Sequence, residues 1–340
     1  MTAESAGAGR RHGAKPPTIT EVAGRAGVSI ATVSRVVSGR GRVREATRLR
    51  VEQAIAATGW AVDPAARQLA GGAGDEVMLA VAVAEHREFA SDPYYARVIA
   101  GAHEEAVRHG LSLSVHVAPL RSLAGLAPFS GSQRHMGAIL VNAGAEEAAL
   151  ISGQSRPVVS MGAVAPAVPS VDPENEAGVS AAVGHLLAQG RRRIAMISGP
   201  RRNPCSRERL AGYRSRVRAA GLGEIRFGAD FTRPGAARAA RRLLEAAPDV
   251  DAIFVASDLM ATAVLQVLIA SGRRVPDDVA VVGFDDSPLA WMTTPALSTV
   301  HQPVEKLAAL AVRTLTDRAG GVPLDQRLPT HLVVRASSAA

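Results

Sequence analysis

A chain of 340 residues, 47% of them hydrophobic, is longer than one ordinary domain and can bury a sizeable core. Its single cysteine, Cys205, excludes an intramolecular disulfide and any multi-cysteine zinc site; no apolar run reaches the roughly 18–20 residues of a membrane span and no signal-peptide core opens the sequence, so a cytoplasmic protein with no membrane partner is expected. The net charge of +8 is uneven: residues 1–70 hold eleven Lys and Arg against five Asp and Glu, the footprint of a segment that meets nucleic-acid phosphates.

Residues 1–16, rich in Gly, Ala and polar groups without an apolar period, read as a disordered basic arm. Order begins with Thr18-Ile19-Thr20-Glu21, which has the form of a capping box, and Ile19, Val22, Ala23 and Ala26 then make the apolar stripe of a short helix. Gly27 can take a positive φ after it, and Ser29 can cap a second helix, giving helix, tight turn, helix. In the second helix Val33, Val36 and Val37 share the packing face, which leaves Ala31 and Arg35, flanked by Thr32 and Ser34, on the outward one. A basic loop, Ser38-Gly39-Arg40-Gly41-Arg42, leads to a third helix from about Arg44 to Thr58, with Val51, Ala54 and Ile55 inward and Gly59 as its stop. Asp63-Pro64 opens a brief helical stretch, Ala65 to Ala70, and Gly71-Gly72-Ala73-Gly74 is a linker rather than a dinucleotide fingerprint, because no strand precedes it.

From about Val77 apolar runs alternate with helical patterns. Met78–Val83, Ala138–Val141, Val158–Ser160, Ile194–Ser198, Ala252–Ala256 and Val279–Gly283 read as buried parallel strands of a doubly wound α/β domain. Ligands of such sheets sit beyond the carboxyl ends of the strands, where this chain carries Asn142, Ser198, Ser257 with Asp258, and Asp285 with Asp286. Those residues could equally start turns or cap helices. No phosphate-binding loop, nucleophile elbow or HExxH pair is present, and the nine histidines are dispersed, so neither catalysis, cofactor nor metal is expected.

The stretch Thr18 to Val37 resembles the DNA-binding headpiece of the LacI/GalR repressor family. Downstream, Glu208-Arg209-Leu210-Ala211-Gly212-Tyr213, Ala256-Ser257-Asp258-Leu259-Met260-Ala261, Val281-Val282-Gly283-Phe284-Asp285-Asp286 and Ser298-Thr299-Val300-His301-Gln302-Pro303 are similar to that family's sensing-domain motifs, so the likeness runs from about residue 17 to 335. It implies a headpiece over 17–62, a hinge helix and linker over 63–75, and a periplasmic-binding-protein-like sensing domain of two lobes over 76–335, crossed three times by the chain. The implied partners are a near-palindromic operator, a small-molecule effector such as a sugar or related metabolite, and a second copy in a homodimer or dimer of dimers.

By the same likeness, Thr18, Ser29, Ile30, Ala31, Thr32, Ser34 and Arg35 meet DNA in the major groove. Arg35 can grip a guanine edge with two bonds, while Ile30 and Ala31 can only touch thymine methyls or fill space. Arg67 and Leu69 fall on the hinge, Leu69 as a minor-groove wedge. Tyr94, Tyr95, Asn142, Arg209, Ser257, Asp285 and Gln302 match effector contacts, with Asp92-Pro93 starting a helix at the cleft. Arg209 and Asp285 could hold hydroxyls or a carboxylate, a structural ion pair being the alternative for the acid. Tyr94 or Trp291 could supply a ring face, although 3% aromatic content does not point to a strongly stacked pocket. Two other classes compete: a solute-binding protein, which calls for an export signal and no headpiece, and a dinucleotide-dependent enzyme, which lacks its fingerprint.

Overall fold

A computed structural model describes residues 17–38, 43–60, 74–83, 86–119, 134–152, 156–317 and 323–339. The arm over 1–16, the glycine and arginine positions of the basic loop, and the hinge with Arg67 and Leu69 therefore lie outside the described residues. The chain divides into two compact units, residues 1–72 and 73–340.

In the first unit α1 (Ile19–Ala26), α2 (Ile30–Ser38) and α3 (Glu45–Thr58) form where the capping and apolar signals place them. The capping box is complete: the Glu21 N–H donates to Thr18 Oγ1 at 3.4 Å and the Thr18 N–H donates to Glu21 Oε2 at 2.8 Å. Gly27 ends α1 at φ 64°, a conformation that lets the chain turn directly into α2. The three helices close on Val22, Ala23, Ala26, Val33, Val51 and Ala54, with Trp60 and Ile55 packed at the rim. This is a core of small side chains.

The second unit holds two sheets of six strands. The first lobe opens with β1 (Glu76–Val83), α4 (His86–Ser91), α5 (Pro93–Arg108) and β2 (Ser112–Pro119), followed by β3 (His135–Val141), α6 (Ala145–Ser152), β4 (Val158–Met161) and β5 (Ser170–Pro173). The chain then crosses to the second lobe: α7 (Asn175–Ala188), β6 (Ile194–Ser198), α8 (Pro204–Ala219), β7 (Ile225–Gly228), α9 (Arg233–Ala246), β8 (Ala252–Val255), α10 (Asp258–Ala270), β9 (Ala280–Asp285), α11 (Leu289–Met292) and β10 (Ser298–His301). It returns through α12 (Val304–Thr316) and β11 (Asp325–Leu328) to the first lobe, and leaves again for β12 (His331–Val333).

The sheet orders are β2-β1-β3-β4-β5-β11 and β7-β6-β8-β9-β10-β12. The two lobes thus share one winding, parallel throughout except that β12 runs antiparallel to β10. Among the described residues the chain passes between lobes three times, after β5, at Gln302–Pro303 and between β11 and β12. In each sheet the order reverses beside the strand that opens the lobe, between β1 and β3 and between β6 and β8, which leaves a crevice at the carboxyl ends of those strands. No helix among the described residues is long and apolar enough to cross a membrane.

Candidate functional site

On α2 the residues expected to read bases separate into two groups. Ile30, 47% exposed, and Ala31, Ser34 and Arg35 face outward. Thr32 is half-buried and engaged with the helix start: its N–H donates to Ser29 Oγ at 3.2 Å and the two hydroxyls share a hydrogen bond of 2.9 Å. Thr18 is likewise held in its capping box. The outward strip is therefore one guanidinium, one hydroxyl and two apolar side chains.

In the α/β unit a cavity lies between the carboxyl ends of the two sheets, the place where such sheets take small molecules. From the first lobe come Asp92, Tyr94 and Tyr95 at the start of α5, Asn142 after β3, Met161 at the end of β4, and Val171, Asp172 and Pro173 of β5. The second lobe supplies Asn203, Cys205 and Arg209 around the start of α8, Phe231 before α9, Ser257 after β8 and Asp285 at the end of β9; Gln302 and Leu307 complete the wall from the second crossing. All seven residues expected to meet the effector are on this wall.

Local chemistry fixes each of them. Asp92 caps α5 by accepting from the Tyr94 N–H at 2.9 Å, and Pro93 begins the helix without wasting a donor. Asn142 donates to the Ala82 carbonyl at 2.7 Å, while its own Oδ1 accepts from Asn203 Nδ2 of the other lobe at 2.5 Å. Ser257 both lines the cavity and caps α10 through Met260 N at 3.3 Å. Arg209 is almost wholly buried: Nε donates to Asn175 Oδ1 at 2.8 Å, Nη1 to the Ala256 carbonyl at 2.6 Å, and the guanidinium lies 3.6 Å from the centre of the Phe284 ring. Asp285 stands 3.8 Å from Arg209 and accepts from Gln302 Nε2 at 2.5 Å. The ion pair and the cavity wall are the same residues.

Burial dominates the electrostatics. It pushes Asp92 up to about 7, with the charge of Asp285 adding and the Tyr94 N–H opposing. Asp172 is raised to about 7 by burial and by Glu208, against Arg327. Asp285 is raised only to about 6, since Arg209 and Gln302 oppose the burial. Burial also lifts the Cys205 thiol to about 11, so it remains a thiol at neutral pH and donates to Asn203 Oδ1 at 2.8 Å. Among the described residues no group of three or more His, Cys, Asp or Glu could hold a metal ion.

Four non-glycine residues among those described have a positive φ, and three of them, Asn142 (57°), Phe231 (64°) and Asp285 (121°), line the cavity; the fourth, Asp286 (49°), is the next residue along. Such strain persists where surrounding structure over-determines it, and it collects at binding sites.

Two sequence readings need correction. Trp291 does not offer a ring to the cavity: it sits on the one-turn helix α11, is 70% exposed, and carries the Arg335 guanidinium over its face at 4.2 Å. Tyr94 and Tyr95 from the first lobe and Phe231 from the second do line the cavity. Asp258 and Asp286 are structural: Asp258 is buried, accepting from Ser287 N and Thr299 Oγ1, and Asp286 accepts from Arg335 and pairs with His301. Ser198 is buried off the cavity, receiving Arg226 at 3.4 Å. Asp172, Asn203, Cys205 and Phe231 went unnoticed as wall residues, since none ends an apolar run that advertises itself as a strand.

Comparison with known proteins agrees with this architecture. The model of "Bacterial regulatory proteins, lacI family" matches residues 18–62, and a periplasmic binding protein-like domain matches residues 183–338. The transcriptional regulator CelR of Thermobifida fusca is 38% identical over 337 residues, covering 94% of this chain and 98% of its own. The ribose operon repressor of Halalkalibacterium halodurans is 30% identical over 330 residues, covering 94% and 97%. Among solved structures, a CelR–cellobiose complex superposes with a TM-score of 0.73 at 36% identity, covering 94% of this chain and 99% of that one. The lac repressor dimer bound to operator and an anti-inducer gives 0.78 at 28% identity, covering 96% and 100%. The helix-turn-helix, the two like-wound lobes and these relatives place the chain in one group: it belongs to the lacI family of bacterial regulatory proteins.

Proposed function

We propose that this protein is a cytoplasmic transcriptional repressor that binds a near-palindromic operator as a dimer, and that a sugar or related metabolite held between the two lobes changes its affinity for DNA. The observation that carries the reading is the convergence of Tyr94, Tyr95, Asn142, Arg209, Ser257, Asp285 and Gln302, scattered along the chain, on a single cavity in a chain that opens with a helix-turn-helix. An effector acts by differential affinity: a ligand that fits one arrangement of the lobes better than another shifts the population toward it, and DNA affinity follows. In this reading Arg35 supplies the guanine contact from α2, Ile30 and Ala31 touch thymine methyls, and Arg67 and Leu69 work at the hinge. The polar lining and the rings of Tyr94 and Phe231 suit a polyhydroxyl ring with an apolar face. The protein performs recognition, not catalysis.

Footprinting of the full chain on genomic fragments, with and without a panel of neutral mono- and disaccharides, tests this. The expected result is protection of an inverted repeat that one sugar of the panel weakens or strengthens. Binding governed only by salt, with no preferred site, would overturn it.

A further inference from the structure

Asp172 is a cavity residue whose chemistry the site described so far does not use. It is the penultimate residue of β5, just before the first crossing between lobes, and is 2% exposed, yet its Oδ2 has no hydrogen-bond partner among the described residues. A buried carboxylate left this way is costly, and native structures retain such an atom where something else completes it. Among the described residues no cation does so. Arg327, whose field reaches Asp172, is held by Glu208 at 2.8 Å and Asp325 at 3.0 Å, and both of those acids repel Asp172. Cys205, also close in charge terms, gives its proton to Asn203. What Oδ2 lacks is a donor from the cavity side.

The charges on the wall restrict what that donor can be. The described lining has three carboxyl groups, Asp92, Asp172 and Asp285, and one guanidinium, Arg209. Arg209 spends Nε on Asn175 and Nη1 on the Ala256 carbonyl, lies over the face of Phe284, and has its one positive charge already set against Asp285. A phosphate or carboxylate placed in this cavity would find its one guanidinium already matched by Asp285 and would set acceptor against acceptor at the other carboxyl oxygens. A carboxyl held near neutrality by burial, as Asp172 is, suits a hydroxyl better than a fixed ammonium charge, because it can accept from or donate to that hydroxyl.

We propose that Asp172 is a specificity-determining contact whose Oδ2 pairs with a hydroxyl of the effector, and that with Asp92 and Asp285 it confines the cavity to uncharged polyhydroxyl ligands, rejecting sugar phosphates and sugar acids. This rests on the reading that the cavity holds the effector. Asp172 then acts as the first-lobe anchor opposite the Arg209–Asp285 pair of the second lobe.

The test is calorimetric titration of the full chain with cellobiose, glucose and ribose, alongside cellobionic acid, glucose 6-phosphate, ribose 5-phosphate and glucosamine. The wild type is expected to bind a neutral sugar at least about 100-fold more tightly than its charged counterparts. Asp172→Asn and Asp172→Ser should each weaken the neutral sugar about 10-fold, the worth of one hydrogen bond. Their melting temperatures without sugar should not fall, since a buried acid with an unpartnered oxygen is removed. Unchanged affinity in both variants, tighter binding of an acid, a phosphate or glucosamine, or a fall in sugar-free melting temperature that accompanies the affinity loss in both, would overturn the proposal while leaving the sensing reading intact. If no probe, neutral or charged, binds the wild type, the sensing reading falls and the proposal falls with it.

Discussion

A phenylalanine at φ 64° bears steric strain of about 1–2 kcal/mol that glycine would escape, and the surroundings of Phe231 explain how it is held there. Gly199 lies beneath the ring, where a Cβ would collide with Phe231 and with Ser206. Phe231→Gly should therefore unfold at a higher denaturant concentration than Phe231→Ala, by about 1 kcal/mol in stability, while both lose sugar affinity; equal stability of the two would show that the backbone is not strained. The acids of the same wall give stability a definite pH dependence. Asp92 titrates near 7 when folded and near the ordinary carboxylate value when unfolded, so the folded state takes up its proton first. Its contribution is complete below about pH 4 and is lost as pH rises through 7. Urea midpoints of the sugar-free protein should fall from pH 5 to 7.5, and Asp92→Asn should flatten that slope. Glu105, Glu224, Asp286 and Glu305, lowered by arginine and histidine partners that outweigh their burial, and Asp278, lowered to about 2 by Arg274, run the other way. Their stabilisation is present at neutral pH and disappears in acid.

At the level of elements, the small core of the helical unit makes its caps count. Thr18→Ala should cost about 1 kcal/mol, read as an earlier melt of the first unit by circular dichroism, with no change in base preference among operator variants; altered preference would mean that the hydroxyl reads DNA directly. The caps were legible because they are local: Thr18, Glu21, Gly27 and Ser29 declare a helix boundary within four residues. Central strands were legible for a related reason, since β1, β3, β6, β8 and β9 are buried on both faces and read as continuous apolar runs. The strands that sequence did not reveal are β2, β7, β11 and β12 at the sheet edges, with the four-residue β5 and β10 just inside them. β2 reads Ser-Leu-Ser-Val-His-Val-Ala-Pro and is mostly half-buried, a polar-apolar alternation rather than the continuous apolar run by which the central strands are recognised. The wall residues followed suit: Asn142 and Asp285 were visible at the ends of long central runs, whereas Asp172 sits in a strand too short to notice and Phe231 follows an edge strand. Trp291 failed because a conspicuous ring in sequence carries no information about which way its single helical turn faces.

Across the α/β unit, the lobes are joined by polar links as well as by the crossings. Arg97 of α5 donates to the Asp285 carbonyl at 2.9 Å and to the Gln302 carbonyl at 3.3 Å while pairing with Glu305, and Asn203 meets Asn142. Glu208 of α8 pairs with Arg327 of β11. A ligand among these groups can bias the lobe arrangement, and Arg209 lies beside them on the cavity wall, 3.8 Å from Asp285. Arg209→Ala should leave operator affinity within about threefold and abolish the response to sugar; loss of both in one variant would contradict the separation of DNA-reading and sensing roles. The last two strands carry a practical corollary for biosensor engineering. β11 finishes one sheet and β12 the other, and just beyond them Ser337 and Ser338 are fully buried, bonded to the Val281 carbonyl, Ser298 and His185. A fluorescent protein spliced between Leu328 and Ser338 would therefore disrupt both halves of the detector at once, so a reporter is better inserted at a surface turn elsewhere.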